Sequence, residues 1–170
     1  SMVAAGEGEI VAKRFYEEGF DAYVLVYTCA LFEGHPVGNQ PLRDIAKAVY
    51  LIRKRNEGKL VVCGFSAGGH LAASIGVHWN DPEIAPIEAE ESKMLRPDAE
   101  ILCYPVITSG EYAHKDSFLA LYGPDATEQQ LHYASVEKNV TESTPPTFLW
   151  HTVTDADVPM ENSLCYAAAF

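Results

Sequence analysis

Basic residues are scarce in this sequence of 170 residues. Only 12 Lys and Arg side chains stand against 24 Asp and Glu side chains, which gives a formal net charge of −12 at pH 7. So acidic a protein repels phosphate backbones and anionic lipid surfaces. The charge therefore argues against nucleic acid and membranes as partners and favours a small uncharged substrate.

Cysteine is also rare, and no C-x-x-C pair occurs among Cys29, Cys63, Cys103 and Cys165. The missing pair argues against a zinc site, and no other metal site is predicted. Cys63 and Cys103 lie inside apolar runs, so we expect buried free thiols there. No apolar stretch has the length of a membrane span, and no signal peptide is evident. A cytoplasmic location is favoured, and secretion stays open because the native N-terminus is not evident.

What is present is the composition of one globular domain, with 48% hydrophobic and 11% aromatic residues. Helical and extended apolar patterns alternate along the chain. Helices are predicted over residues 6–19, 41–55, 67–79 and from Pro159 onward, and strands over 21–28, 59–65, 99–107 and 144–153. This alternation predicts an α/β fold, a mostly parallel sheet with helices on both faces.

Two segments interrupt the alternation. Residues 81–96 are polar and contain prolines, which predicts a loop. Thr108–Thr144 is a long insertion in which Thr127 opens a short helix and Gln130 completes a capping box. Ligands of such sheets bind at the carboxyl ends of the strands, and the insertion lies over that edge.

One motif with chemical meaning follows the strand at 59–65. Gly64-Phe65-Ser66-Ala67-Gly68 fits G-x-S-x-G, the nucleophile elbow, with a strand before it and a helix after it. Ser66 would be the nucleophile, and the crowded turn would require glycine at both Gly64 and Gly68. The backbone N–H of Ala67, at the helix N-terminus, would be one oxyanion donor. The alternative is a purely structural role, in which the glycine-rich turn only permits tight helix–sheet packing.

A second motif, Asp155-Ala156-Asp157-Val158-Pro159, follows the last predicted strand. A carboxylate in this place would orient a histidine and stabilise its cation. Asp155 is favoured over Asp157 because it comes first after the strand, where the ordered motif has its acid.

Histidine is missing where the chemistry needs it. The expected order is serine, acid, histidine. All six histidines, which are His35, His70, His78, His114, His132 and His151, precede Asp155. His70 would pack or hydrogen-bond, His78 would lie on the helix surface, and His35 and His132 have ordinary loop or surface roles. His114 and His151 could approach Ser66, but a structural role is favoured for both.

Three stretches carry a resemblance to a known family: GFSAGGHLAAS, CYPVITSGEYAHKDSFLALYG and VTESTPPTFLWHTVTDADVPMENSL. They resemble bacterial α/β-hydrolase esterases related to acetyl-xylan esterases and feruloyl-esterase-like hydrolases, and the likeness runs from about Gly6 to the end. The resemblance implies an α/β-hydrolase fold, Ser66 as nucleophile, Asp155 as acid and hydrolysis of esters, often acetyl groups on carbohydrate. It implies no metal and no cofactor.

The same resemblance implies missing parts. Family members usually begin with further strands and a glycine-rich oxyanion loop, and they continue with one more strand and a loop that carries the histidine. Residues 1–170 would then form a single domain that is incomplete at both ends. The catalytic histidine would not be present in this chain, and its activity would be impaired.

Three functions stay open from the sequence. The first is a serine esterase acting on a small-molecule or carbohydrate ester, with Tyr112, Tyr122 and Tyr133 of the insertion available to stack on a sugar. The second is a non-catalytic binding or assembly module, whose exposed sheet edges would favour pairing with another copy. The third is a peptidase or amidase of the same fold.

Overall fold

A computed structural model describes residues 5–30, 35–84 and 92–170. Helices and strands alternate over most of this part of the chain, as the sequence predicts. The α-helices are α1 (Ala5–Glu17), α2 (Gln40–Arg55), α3 (Ser66–His78), α4 (Lys115–Tyr122), α5 (Glu128–Ala134) and α6 (Glu161–Ala168). The strands are β1 (Val61–Phe65), β2 (Ala99–Cys103) and β3 (Thr147–Trp150).

The three strands form a parallel sheet in the order β1-β2-β3. Phe65, Cys103 and Trp150, the last residues of the strands, lie side by side in the register. The loops after all three strands therefore begin at the same edge of the sheet, the edge at which parallel sheets bind ligands.

One face of the sheet packs against α3, and α2 packs against α3 in turn. The side chains that make this core are small or branched and apolar, with Ala72, Ile75 and Leu102 almost fully buried. The small side chains among them let the helix approach the sheet closely, which fixes α3 and the turn in front of it.

The other face of the sheet is more exposed. Burial alternates along β1, and Cys63 is exposed while Cys103 is half-buried. Phe148 of β3 is 62% exposed on this face. The prediction that Cys63 is a buried thiol is therefore wrong, because no described helix covers that position.

The predicted strand at 21–28 is also wrong, because the described residues 18–30 form no strand. The Thr28 N–H donates to the Asp44 carboxylate of α2 (2.8 Å) rather than to a neighbouring strand. Val26 is 74% exposed. A β-rich pattern forms a strand only where a partner completes the ladder, and here this segment lies beside α2 instead.

The predicted helices are confirmed in place. The helix at Glu128–Ala134 begins with the capping box of Thr127 and Gln130, in which both side chains bond the facing backbone N–H. In the predicted loop at 81–96, residues 92–95 form a 3₁₀ turn, and 85–91 lie outside the described residues. None of the helices in the described ranges is long and apolar enough to cross a membrane.

Candidate active site

Ser66 stands at the junction of β1 and α3 with a strained backbone. Its φ is +50°, in the left-handed region that non-glycine residues rarely adopt. Such a conformation costs on the order of 1–3 kcal/mol and persists only where the surroundings enforce it. The sharp strand-to-helix turn expected of an elbow is present, and Ser66 opens α3.

The turn is locked by two close approaches of backbone. A Cβ on Gly64 would overlap the carbonyl of Gly68, so only glycine fits at position 64. A Cβ on Gly69 would lie 2.8 Å from the Cβ of Pro105. Gly68 itself differs from the prediction, because a Cβ there would have the Tyr27 hydroxyl at 3.8 Å as its nearest neighbour, an ordinary contact. Of these two neighbouring glycines, steric crowding reserves position 69 for glycine and not position 68.

The segment after β2 supports this turn from the side. Tyr104 also has a positive φ, +39°, and turns the chain so that the Val106 N–H donates to the Ser66 carbonyl (3.1 Å). The Tyr104 hydroxyl donates to the Glu7 carboxylate (2.9 Å), and burial raises the pKa of this tyrosine to about 12. This support was not predicted from the sequence, although Pro105 directly after an apolar run was a signal of a turn there.

Ala67 is the second residue of α3, so its N–H has no acceptor within the helix. The positive end of the helix dipole adds to the field of this N–H at the serine. Both features fit the predicted role of Ala67 as an oxyanion donor.

Ser66 lines a cavity of about 350 Å³. Ser66, His70, Ser74 and His78 are spaced four residues apart, and all four line it, so the cavity follows one face of α3 for about 18 Å. Opposite α3, the wall is largely apolar and comes from residues 27–30, from 37–42 and from α4 in the insertion. A nucleophile candidate thus opens onto a pocket large enough for a ligand.

Tyr27 is a cavity residue that the sequence analysis missed, because it lay in the wrongly predicted strand. It lines the cavity beside Ser66 and Ala67. Burial raises the pKa of its hydroxyl, which keeps the group neutral.

Asp155 lies in the loop after β3, at the same edge of the sheet as Ser66, and β3 itself lies two strand spacings, about 10 Å, from β1. Its Oδ1 accepts the N–H groups of Asp157 (3.0 Å) and Val158 (2.9 Å). The Val158 bond is the chief reason why the pKa of Asp155 is held below its ordinary value. Asp157, the alternative acid, is exposed.

His151 is the histidine that the structure brings to Asp155. Its Nε2 lies 3.5 Å from Asp155 Oδ2 and 2.9 Å from the Val158 carbonyl, and its Nδ1 lies 2.7 Å from Ser163 Oγ. The side chain is only 4% exposed. Both ring nitrogens are engaged, and neither His151 nor Asp155 is among the described residues that line the serine's cavity. The pair therefore lies outside the lining of the serine's cavity.

Three other histidines line that cavity. His70 Nε2 bonds the Ala134 carbonyl (2.8 Å), and His78 Nε2 bonds the Tyr133 carbonyl (2.9 Å). Burial lowers the pKa of both. The bond of His70 agrees with its predicted packing role. The surface position predicted for His78 is wrong, because its ring is buried and stacks on Tyr133 at 3.9 Å.

His114 is the third, and its Nδ1 is held by Ser117 Oγ (2.9 Å). In the part of the chain that the structure describes, no histidine nitrogen is hydrogen bonded to the Ser66 hydroxyl. That part also contains no group of three or more His, Cys, Asp or Glu side chains that could hold a metal ion.

Comparison with known proteins places this arrangement among hydrolases. A family model described as BD-FAE matches residues 7–170. Endo-1,4-beta-xylanase B of Butyrivibrio fibrisolvens is 44% identical over 179 residues, which cover 99% of this chain and 27% of that protein.

Two solved structures are similar in fold. The acetyl ester-xyloside bifunctional hydrolase of Caldicellulosiruptor lactoaceticus has a TM-score of 0.85 and 36% identity, over 99% of this chain and 63% of that one. A sugar hydrolase of Lactococcus lactis has a TM-score of 0.77 and 29% identity, over 100% of this chain and 64% of the other. The chain thus spans about a quarter of the length of the curated relative and under two thirds of these two structures.

Proposed function

The chain belongs to the BD-FAE family and has the α/β-hydrolase fold of esterases, and from this premise we propose that it is the nucleophile-bearing part of a serine ester hydrolase. The single observation that carries the proposal is the strained Ser66 in the lining of the cavity along α3. Strain of this kind at a reactive side chain is typical of catalytic turns.

In the proposed reaction, Ser66 Oγ loses its proton to a base and forms a bond to the ester carbonyl carbon. The Ala67 N–H donates to the oxygen that becomes negative, and the alcohol leaves with a proton as the acyl-enzyme forms. Water then attacks the acyl carbonyl, the acid is released and the serine regains its proton. Asp155 is proposed as the carboxylate that orients the base.

The substrate class we propose is a carbohydrate ester, with acetyl as the acyl group. The relatives named for acetyl ester, xyloside and sugar substrates support this choice. The net charge of −12 fits an uncharged sugar ester better than an anionic substrate.

We also propose that these 170 residues alone are slow, because no described histidine bonds the Ser66 hydroxyl. A chain without its base retains only what the oxyanion donor and the cavity supply. Imidazole is a small base, and when it is added to the solution it should accept the proton of the Ser66 hydroxyl.

The test is release of p-nitrophenol from p-nitrophenyl acetate with and without imidazole, after subtraction of the rate of imidazole alone. We expect imidazole to increase acylation of the protein by at least tenfold and Ser66→Ala to abolish this increase. Ser74→Ala, a serine in the same cavity, is the matched control and should behave as the wild type. Equal acylation of the Ser66→Ala variant would refute the proposal.

A further inference from the structure

A second depression of similar size, about 350 Å³, adjoins the cavity of Ser66. Gly38, Asn39, Tyr122 and Tyr133 line both. Among these shared residues the Tyr122 hydroxyl donates to Asn39 Oδ1 (2.6 Å). We call the second depression the polar groove, because the residues that it does not share with the cavity are Arg43, Glu83, Gln129 and Gln130.

The polar groove lies toward the end of the cavity remote from the serine. Tyr133, which it shares with the cavity, stacks on His78 at the last residue of α3. Ser66 is the first residue of α3, about 18 Å away along the helix. A ligand that reaches from Ser66 into the groove must therefore be elongated.

The side chains of the groove offer both donors and acceptors. Arg43 Nε donates to the Glu83 carbonyl (3.1 Å), which holds the guanidinium in place. Within the described residues, the other N–H groups of Arg43 and the amide of Gln129 take part in no hydrogen bond. One cation, one carboxylate and two amides together match hydroxyl groups, which donate as well as accept.

The same set disfavours other ligands. The Glu83 carboxylate repels a phosphate or carboxylate ligand, and the net charge of −12 adds to that repulsion. An alkyl chain would bury these polar groups without hydrogen bonds, at a cost of about 1–3 kcal/mol for each group.

We propose that the polar groove binds the hydroxyl-bearing sugar units that lie farthest from the ester bond, so that the site recognises an oligosaccharide rather than a single sugar. This inference rests on the proposed function, since it takes Ser66 as the point where the ester bond lies. Tyr122 and Tyr133 line both compartments, and the hydroxyl of Tyr133 donates to Asp81 (2.6 Å).

The test measures binding of unmodified xylotetraose by titration calorimetry, which needs no catalysis, beside imidazole-assisted acylation by p-nitrophenyl acetate. Gln129→Ala and Arg43→Ala should each weaken xylotetraose binding by about tenfold, the effect of one lost hydrogen bond with a charged or neutral partner. Acylation of Ser66 by the small ester should stay unchanged in both variants.

Arg55→Ala, an exposed arginine on the same helix as Arg43, is the matched control and should bind as the wild type. Gln129→Ala keeps the test sound if Arg43→Ala perturbs folding, because the Gln129 side chain forms no hydrogen bond within the described chain. If acylation is normal but xylotetraose does not bind, the inference is overturned and the proposed function stands. The same conclusion follows if acylation is normal and all variants bind xylotetraose equally. If the wild type shows no Ser66-dependent acylation, the proposed function is overturned instead.

Discussion

The turn at Ser66 and the loop at Asp155 lie at the same edge of one sheet, but they are held in opposite ways. Ser66 has a strained backbone locked by Gly64, while no hydrogen bond within the described chain restrains its hydroxyl. Asp155 has a carboxylate that is held at both oxygens, by two backbone N–H groups and by His151. The first region stores strain in its backbone and leaves the serine hydroxyl without a hydrogen bond in the described chain, whereas the second fixes the carboxylate itself.

The most direct way to break the first half of this comparison is Gly64→Ala. The new methyl group would overlap the Gly68 carbonyl, and backbone cannot move aside cheaply, so we expect a loss of about 3 kcal/mol in the free energy of unfolding. Gly68→Ala is the matched control and should stabilise by up to about 1 kcal/mol, since alanine favours a helix and the site is open. Urea titrations measure both, and equal effects would contradict the account of the turn.

The second half is broken by Asp155→Ala, which leaves two backbone N–H groups of the loop without an acceptor. We expect a loss of about 2 kcal/mol in the free energy of unfolding at pH 7. Asp157→Ala removes an exposed carboxylate nearby and should change stability by less than about 0.5 kcal/mol.

The pH dependence of the same variant adds a check. Because the pKa of Asp155 is lowered in the folded protein, its stabilisation is present above the ordinary pKa of 3.8 and is lost as the pH falls through the lowered value. The difference between wild type and Asp155→Ala should therefore shrink below about pH 4. A difference that stays constant down to pH 2 would show that the charge of Asp155 is irrelevant.

A carboxyl on the strand between the two regions predicts the opposite pH window. Glu100 of β2 is 1% exposed, and burial raises its pKa from 4.5 to about 8. Its Oε2 accepts from Thr147 (2.9 Å) and Tyr166 (3.1 Å), its Oε1 has no partner, and Arg96 is the nearby cation. The neutral form of Glu100 therefore contributes its full stabilisation of the folded protein below pH 4.5, and this contribution is lost as the pH rises through 8.

Glu100→Gln should remove that loss. Between pH 5 and 8 the free energy of unfolding of the wild type should fall by about 1 kcal/mol per pH unit relative to that of Glu100→Gln, because the two proteins share every other titrating group. Urea titrations at several pH values measure both slopes. Identical slopes in the two proteins would mean that Glu100 is not the buried acid of this account.

Local motifs were the part of the molecule that could be predicted from the sequence. The elbow at Gly64–Gly68 and the capping box at Thr127 each depend on residues that are close in the chain, so a short pattern specifies them. The alternation of helix and strand gave the parallel sheet for the same reason, apart from the segment at 21–28. That segment lacks a partner strand among the described residues, and no local pattern reveals whether a partner exists.

The missed features depend on contacts between distant parts of the chain. Tyr104 and Val106 support Ser66 from a loop nearly forty residues later, and His78 is buried only because Tyr133 stacks on it. Cys63 is likewise exposed because no described helix covers its position on the sheet. Such contacts leave no periodic trace in the sequence, because many different residues can supply them.

The central claim is that the strained turn presents Ser66 as the nucleophile. A fluorophosphonate probe tests it most directly, because the probe bonds covalently to an activated serine and the modified residue can be located by peptide mass spectrometry. The account predicts modification at Ser66, its loss in Ser66→Ala and its persistence in Ser74→Ala. Modification that persists in Ser66→Ala, or that maps to another residue of the same cavity, would contradict the account.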